Sequence, residues 1–350
     1  MRRGLIKAGL EVLYWSGIHR LLAPRTGGRG AILMFHRVRP DPSNEFAPNA
    51  YLEVTPAFLS AAVALVRQSG MDIVDLDEAQ RRLSDPSAGR FCVLTFDDGY
   101  RDIFRHAYPV LKELDCPFTV YIATGFIDRT SEAWWLTLEE VVARQGSIAA
   151  GRDGPTEYFR CRTPAQKSAA FRALHDWLMR IDEERRQAAI RELAWRYGVD
   201  GAAIVDAEMM DWGEVRRLAA DPLVTIGAHT VGHVSLARLA AGKARAEMRD
   251  GAKVLEAAIG IPPRHFAYPY GSPSDAGERE FRMAAEMGFA TAVTSRRGVL
   301  TASAAARPTA WPRVPVSGHY QSVRYLDVLL SGVPFAFMPG RPSRAAASRR

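Results

Sequence analysis

Two short segments carry the residue types of a hydrolytic metal site. Residues 95 to 100 read Thr-Phe-Asp-Asp-Gly-Tyr at the end of an apolar run, and roughly 130 residues later the chain reads His-Thr-Val-Gly-His. Neighbouring side chains leave an extended backbone in opposite directions, so Asp97 and Asp98 can take different jobs in one site. Catalytic zinc usually takes three protein N/O ligands and keeps one position for water. One of the two aspartates with His229 and His233 would fill such a set, leaving the other aspartate free as a general base. Each segment alone is a weak signal, because an isolated Asp-Asp-Gly is usually a turn.

Placing these residues falls to a rhythm of apolar strands and amphipathic helices. Ala31 to Val38 and Phe91 to Phe96 read as buried strands, the second delivering Asp97 and Asp98 at its carboxyl end. Further strands are expected at 73–76, 117–123, 223–227, 266–268, 289–294 and 314–316, with helices at 55–68, 103–114, 243–259, 275–287 and 323–330. Thr55 caps the first of these helices, with Pro56 at its first position. Strands alternating with helices predict a parallel sheet or barrel, where active residues collect at the carboxyl ends of strands. Residues 128–207 break the rhythm with helical segments and no convincing strand, and are expected to be an all-helical insertion.

The two segments gain weight from a third. Thr95-Phe-Asp-Asp-Gly-Tyr100, His229-Thr-x-x-His233 and Phe266-Ala-Tyr-Pro-Tyr-Gly271, in that order, resemble the polysaccharide deacetylase family with the NodB-type domain, carbohydrate esterase family 4. The resemblance covers residues 31–335 apart from the insertion. It implies a distorted (β/α) barrel that removes acetyl groups from N-acetylhexosamine units of a polysaccharide, oligosaccharide or glycolipid with a divalent metal, most often Zn2+. It further implies Asp97 as general base, Asp98, His229 and His233 as metal ligands, and the Tyr270 main-chain N–H as an oxyanion donor. In that chemistry the metal lowers the pKa of its water to about 7, and a positioned base takes the proton as the water attacks.

The chain departs from the commonest family pattern twice. Ala267 stands where an Arg usually orients the catalytic Asp, and Arg313, in Trp311-Pro-Arg-Val-Pro-Val316, is the candidate substitute, unless it lies at the surface as most arginines do. The late Leu-x-His that supplies the usual general acid has no clear match. His36, ending the first apolar strand, is the candidate acid, as in a branch of the family acting on poly-N-acetylglucosamine, with His319 as runner-up. These departures keep open a catalytically impaired glycan-binding protein of the same fold, and the sequence does not name the glycan, so a chito-oligosaccharide deacetylase of the nodulation-factor type also stays open. Trp134 and Trp135 suit stacking on a sugar, although packing of the insertion onto the barrel is the commoner use. Asp211 with Glu214 reads as a helix-capping box.

Composition bounds the rest. The net charge of +7 is concentrated at the ends: residues 1–30 hold six Lys/Arg against one Glu, and residues 341–350 hold four Arg. Removing +5 and +4 leaves the body near −2, which argues against a nucleic-acid groove. Residues 1–30 form an amphipathic basic segment in which Lys7, Glu11 and His19 interrupt any secretory core. One helix is expected there, either packed on its own domain or in peripheral contact with a membrane through residues 1–28. Residues 336–350 read as a disordered basic tail. Three unclustered cysteines, Cys92, Cys116 and Cys161, fit a reducing compartment. The chain is therefore expected in the cytoplasm or at the inner membrane surface.

Overall fold

The apolar runs read as buried strands form a closed barrel. The structure, a computed structural model, describes residues 2–40, 45–151 and 154–336. Among these residues the strands are β1 (Gly30–Phe35), β2 (Arg37–Val38), β3 (Glu53–Val54), β4 (Asp72–Ile73), β5 (Phe91–Phe96), β6 (Phe118–Ile122), β7 (Ser147–Gly151), β8 (Thr156–Arg160), β9 (Val224–Ala228), β10 (His265–Ala267), β11 (Thr291–Arg297) and β12 (Trp311–Pro315). Seven of them close a parallel ring in the order β1-β12-β11-β10-β9-β6-β5, with β1 bonding β5 to complete it. β4 adds to the first residues of β5, and β6 takes its last two, Thr95 and Phe96. Every residue of β5 and β6 is buried, as expected of strands covered on both faces.

Helices surround the ring: α1 (Arg2–Trp15), α2 (Ile18–Thr26), α3 (Pro56–Gln68), α4 (Leu76–Ser84), α5 (Tyr108–Glu113), α6 (Thr124–Ile127), α7 (Trp134–Arg144), α8 (Pro164–Leu178), α9 (Glu183–Arg196), α10 (Gly201–Glu208), α11 (Trp212–Ala219), α12 (Ala241–Ile259), α13 (Glu278–Glu286), α14 (Val323–Leu330) and α15 (Val333–Ala336). The Thr55 hydroxyl accepts from the Phe58 N–H and caps α3, and Asp211 with Glu214 forms the expected capping box of α11. No helix among the described residues is long and apolar enough to cross a membrane.

Three expectations change. The run 31–38 is not one strand: β1 ends at Phe35 and β2 pairs instead with β3, so the chain turns at His36. Asp102 causes the turn, since its carboxylate accepts from Arg37 Nε at 2.8 Å and the Val38 N–H at 3.0 Å. The excursion 128–207 is not all helical, because β7 and β8 form an antiparallel hairpin between α7 and α8. The N-terminal segment is two helices, broken where Gly17 adopts φ 69°. It packs against α14 through polar bonds: Tyr325 Oη donates to Glu11 at 2.7 Å and His19 Nε2 meets Asp327 at 3.1 Å. Its apolar side chains largely stay outside, with Leu5, Trp15 and Leu21 each more than 70% exposed. Of the tail expected at 336–350, all beyond Ala336 lies outside the described residues.

Candidate active site

Strand register brings the sequence segments together. β1 and β5 run in step from Gly30 opposite Phe91 to Phe35 opposite Phe96, so His36 and Asp97 leave the barrel at the same level. β6 and β9 end together at Ile122 and Ala228, and the His229 N–H donates to the Ile122 carbonyl at 3.0 Å. Asp97, Asp98, His229 and His233 therefore meet at the carboxyl end of the barrel, all buried. Four of the six non-glycine residues with positive φ among the described residues lie here: Asp98, Thr230, His233 and Tyr270. Such backbone costs of order 1–3 kcal/mol per residue and persists only where surrounding structure fixes it.

Asp98, His229 and His233 form one cluster. Their ligand atoms all lie within 4.8 Å of one another, with Asp98 Oδ1 3.4 Å from His229 Nε2 and 3.2 Å from His233 Nε2. His229 Nδ1 sits 2.7 Å from the Ala267 carbonyl, which can only accept. That bond places the proton on Nδ1, so a neutral ring turns a bare Nε2 lone pair toward a carboxylate. Two acceptors facing each other at this distance call for a cation between them. A tetrahedral zinc with bonds of about 2.1 Å has ligand-to-ligand edges of about 3.4 Å, which the two Asp98 distances match. The donor set thus fits a divalent metal. Burial raises the Asp98 pKa, but positive charge gathered beside it overcomes burial and holds the carboxyl well below its ordinary value.

The His-Thr-Val-Gly-His loop is shaped from behind by α12. Glu247 accepts from the Val231 N–H at 3.1 Å and the Gly232 N–H at 2.8 Å, and Thr230 Oγ1 accepts from the His233 N–H at 3.0 Å. Gly251 on the same helix lies so close that a Cβ there would meet the Thr230 carbonyl carbon at 2.7 Å.

Asp97 faces a different partner. Arg313 reaches it with a two-pronged guanidinium, Nη1 to Oδ1 at 2.7 Å and Nη2 to Oδ2 at 2.6 Å. The Arg313 Nε donates to the Thr294 carbonyl at 2.9 Å, and Nη1 also reaches Thr95 Oγ1 at 3.2 Å. At 1% exposure this Arg is not a surface residue. Burial alone would raise the Asp97 pKa, yet the Arg313 charge and hydrogen bonds bring it below the ordinary value. Ala267, where the Arg of the common pattern would stand, lies in β10 and gives its carbonyl to His229.

The remaining candidates separate by position. His36 lines the same cavity as the four residues above, whereas His319 is not among its lining residues. Burial pushes His36 below its ordinary pKa, while the Asp98 and Asp97 charges pull it back up. Tyr270 sets its ring edge against His233, centroids 4.8 Å apart. Both tryptophans of α7 are 5% exposed: Trp134 Nε1 donates to Tyr270 Oη at 2.9 Å and Trp135 Nε1 to Tyr100 Oη at 2.8 Å. They pack the excursion onto the barrel and also wall the cavity.

Several site residues went unread in the sequence. Asp275 lines the cavity, accepting from Ser235 Oγ at 2.7 Å and from Ser272. It follows the third motif closely, which is a usable signal, but it reads as a helix start. Tyr51 also lines the cavity, and buried Arg186 sits over the Tyr270 ring at 5.6 Å. Nothing in their local sequence marks them.

Comparison with known proteins decides the family. The Polysaccharide deacetylase profile matches residues 84–152 and 173–292, and the gap falls inside the excursion. The chain belongs to the polysaccharide deacetylase family. It is a deacetylase, a hydrolase, on a NodB-type barrel. A search of curated proteins finds no significant match. Among solved structures it is similar to the Streptococcus pyogenes deacetylase PplD in complex with acetate, at 18% identity and TM-score 0.55, over 85% of this chain and 95% of that one. IcaB from Ammonifex degensii gives 19% and 0.54, over 87% and 98%. A de-N-acetylase from Aggregatibacter actinomycetemcomitans gives 14% and 0.54, over 85% and 99%. At these identities the likeness is one of fold.

Proposed function

We propose that this deacetylase is a divalent-metal-dependent de-N-acetylase acting on N-acetylhexosamine units of a glycan or glycolipid. The observation that carries the reading is the pairing of a convergent Asp98–His229–His233 cluster with a separately held carboxylate, Asp97. A cation in that cluster, Zn2+ by its donor set, would polarise the amide carbonyl and lower the pKa of the attacking water. Asp97, kept ionised by Arg313, takes the proton of the water. The Tyr270 main-chain N–H donates to the developing oxyanion. His36 delivers a proton to the departing amine, completing cleavage of the C–N bond to acetate and the free hexosamine. Arg313 supplies from β12 the orienting charge that Ala267 lacks, which removes the main motive for reading the site as an impaired glycan-binding one.

The same reading rests α1 and α2 on a membrane surface. Leu5, Val12, Trp15 and Leu21 are exposed there beside Arg3, Lys7 and Arg20. Apolar residues interleaved with cations suit the water–lipid boundary of an anionic leaflet, on the cytoplasmic side.

Acetate release from N-acetylglucosamine oligomers and other acetylated glycans, with metal measured on the same sample, tests the function. Release that stops with chelator and returns with Zn2+ is expected. No release from any N-acetylated glycan by fully metallated protein would falsify the reading.

A further inference from the structure

The cavity around the catalytic residues has a volume of about 710 Å³ and a second wall built from helices that contribute no catalytic group. Ile6 and Leu10 come from α1, Phe58 from α3, Leu326 and Leu329 from α14, and Phe335 from α15. α14 packs on α1, α3 and α15, so the wall is one assembly. None of these six side chains can donate or accept a hydrogen bond. A sugar ring laid against them would leave its hydroxyls desolvated and unpaired, whereas an alkyl chain would bury apolar surface on both sides. A cavity that is polar at the strand ends and hydrocarbon-like at the helices matches a ligand with the same division.

We propose that this wall receives the hydrocarbon chain of an amphiphilic substrate, so that the sugar is deacetylated while attached to a lipid. The proposal rests on the deacetylase reading for the head group and on the wall for the chain. α1 supplies the connection: it gives Leu10 and Ile6 to the cavity while exposing Leu5, Val12 and Trp15. The helix that would lie in a leaflet is also a wall of the site, so a chain leaving the leaflet enters the cavity along it. Arg3 and Lys7 on that helix complement an anionic lipid surface.

The test uses the zinc-loaded full chain carrying Asp97→Asn, so that turnover does not disturb calorimetry. Methyl, hexyl, octyl and decyl glycosides of N-acetylglucosamine are titrated below their micelle concentrations. Binding is expected to tighten along the series, by up to about fourfold for each methylene seated on the wall. Leu329→Trp and, independently, Leu10→Asn in the same background are expected to flatten that dependence. Affinities equal within about twofold from methyl to decyl overturn the proposal. So does a dependence untouched by both variants, which would place the chains elsewhere on the protein. A dependence that appears only after residues 337–350 are removed would give the wall to the chain's own C-terminal end. Acetate release by the unsubstituted enzyme from the same glycosides is scored separately. Chain-dependent binding without release leaves the wall and sinks the head-group reading; release without chain dependence does the reverse.

Discussion

The two halves of the site are built in different ways from neighbouring residues. Asp98, His229 and His233 converge through local chain geometry: a left-handed Asp after β5 and a tight loop after β9 braced by Glu247 and Gly251. Asp97 is instead held by Arg313, 216 positions away in sequence and on the far side of the ring closure, β12 next to β1. One half sets the Asp98 carboxylate against the bare Nε2 of His229, an arrangement that a cation would satisfy. The other is a paired buried ion that needs nothing added, since a bidentate guanidinium satisfies both carboxylate oxygens. The halves should therefore respond separately to substitution, although adjacent residues supply them.

The largest separation is expected between Asp97→Asn and His229→Ala. Removing the base should lower kcat by about 10²–10⁴-fold while zinc content stays stoichiometric. Removing the ligand should abolish both, because two remaining donors do not define a site. Metal analysis and acetate release on the same preparations check this, and full zinc occupancy in His229→Ala would break the ligand assignment.

Arg313→Ala should rank next, and it should act through charge rather than metal. It leaves Asp97 buried without a partner, a loss of about 3–5 kcal/mol by denaturant titration. The sign of its pH effect follows from the pKa causes: burial raises Asp97 and Arg313 lowers it. Activity requires the ionised base and is lost as pH falls through its pKa. Without Arg313 that acid limb should move to higher pH, with zinc affinity little changed. Arg313→Lys, which keeps the charge and loses the fork, should recover part of the stability and less of the rate. An acid limb that does not move in Arg313→Ala would detach Arg313 from the base.

This contrast also explains what the sequence made legible. The metal half could be read because its donors lie in two short segments at strand ends. Arg313 could be suspected only from the empty place at Ala267, and nothing but the ring closure brings it to Asp97. β7 and β8 escaped because Ser-Ile-Ala-Ala-Gly favours helix as much as strand, and its partner Thr-Glu-Tyr-Phe-Arg is mostly exposed, without a clean alternation. The break at Gly17 escaped because the apolar spacing continues past it. Leu10, Leu326 and Leu329 sit at helical spacing that reads as ordinary core, and only the packing of α1, α3, α14 and α15 reveals a cavity in front of them.

The smallest effect should come from Gly251→Ala, which sharpens the comparison because it touches neither half directly. The new Cβ would press on the Thr230 carbonyl at 2.7–2.8 Å, so α12 or the loop must give way. Overpacking of this kind costs about 1–3 kcal/mol. The loop displacement should be felt at His233, which Thr230 Oγ1 holds by its N–H, and at the Glu247 bonds to Val231 and Gly232. Loss of supporting contacts behind metal ligands lowers affinity by about 10–100-fold, so zinc binding should fall about tenfold. The Asp97–Arg313 pair lies across the barrel mouth from α12, and the acid limb of the pH profile should keep its position. A competitive zinc titration beside a pH–rate profile separates the two readouts: a shifted acid limb with unchanged zinc affinity would mean that the halves are mechanically coupled rather than independent.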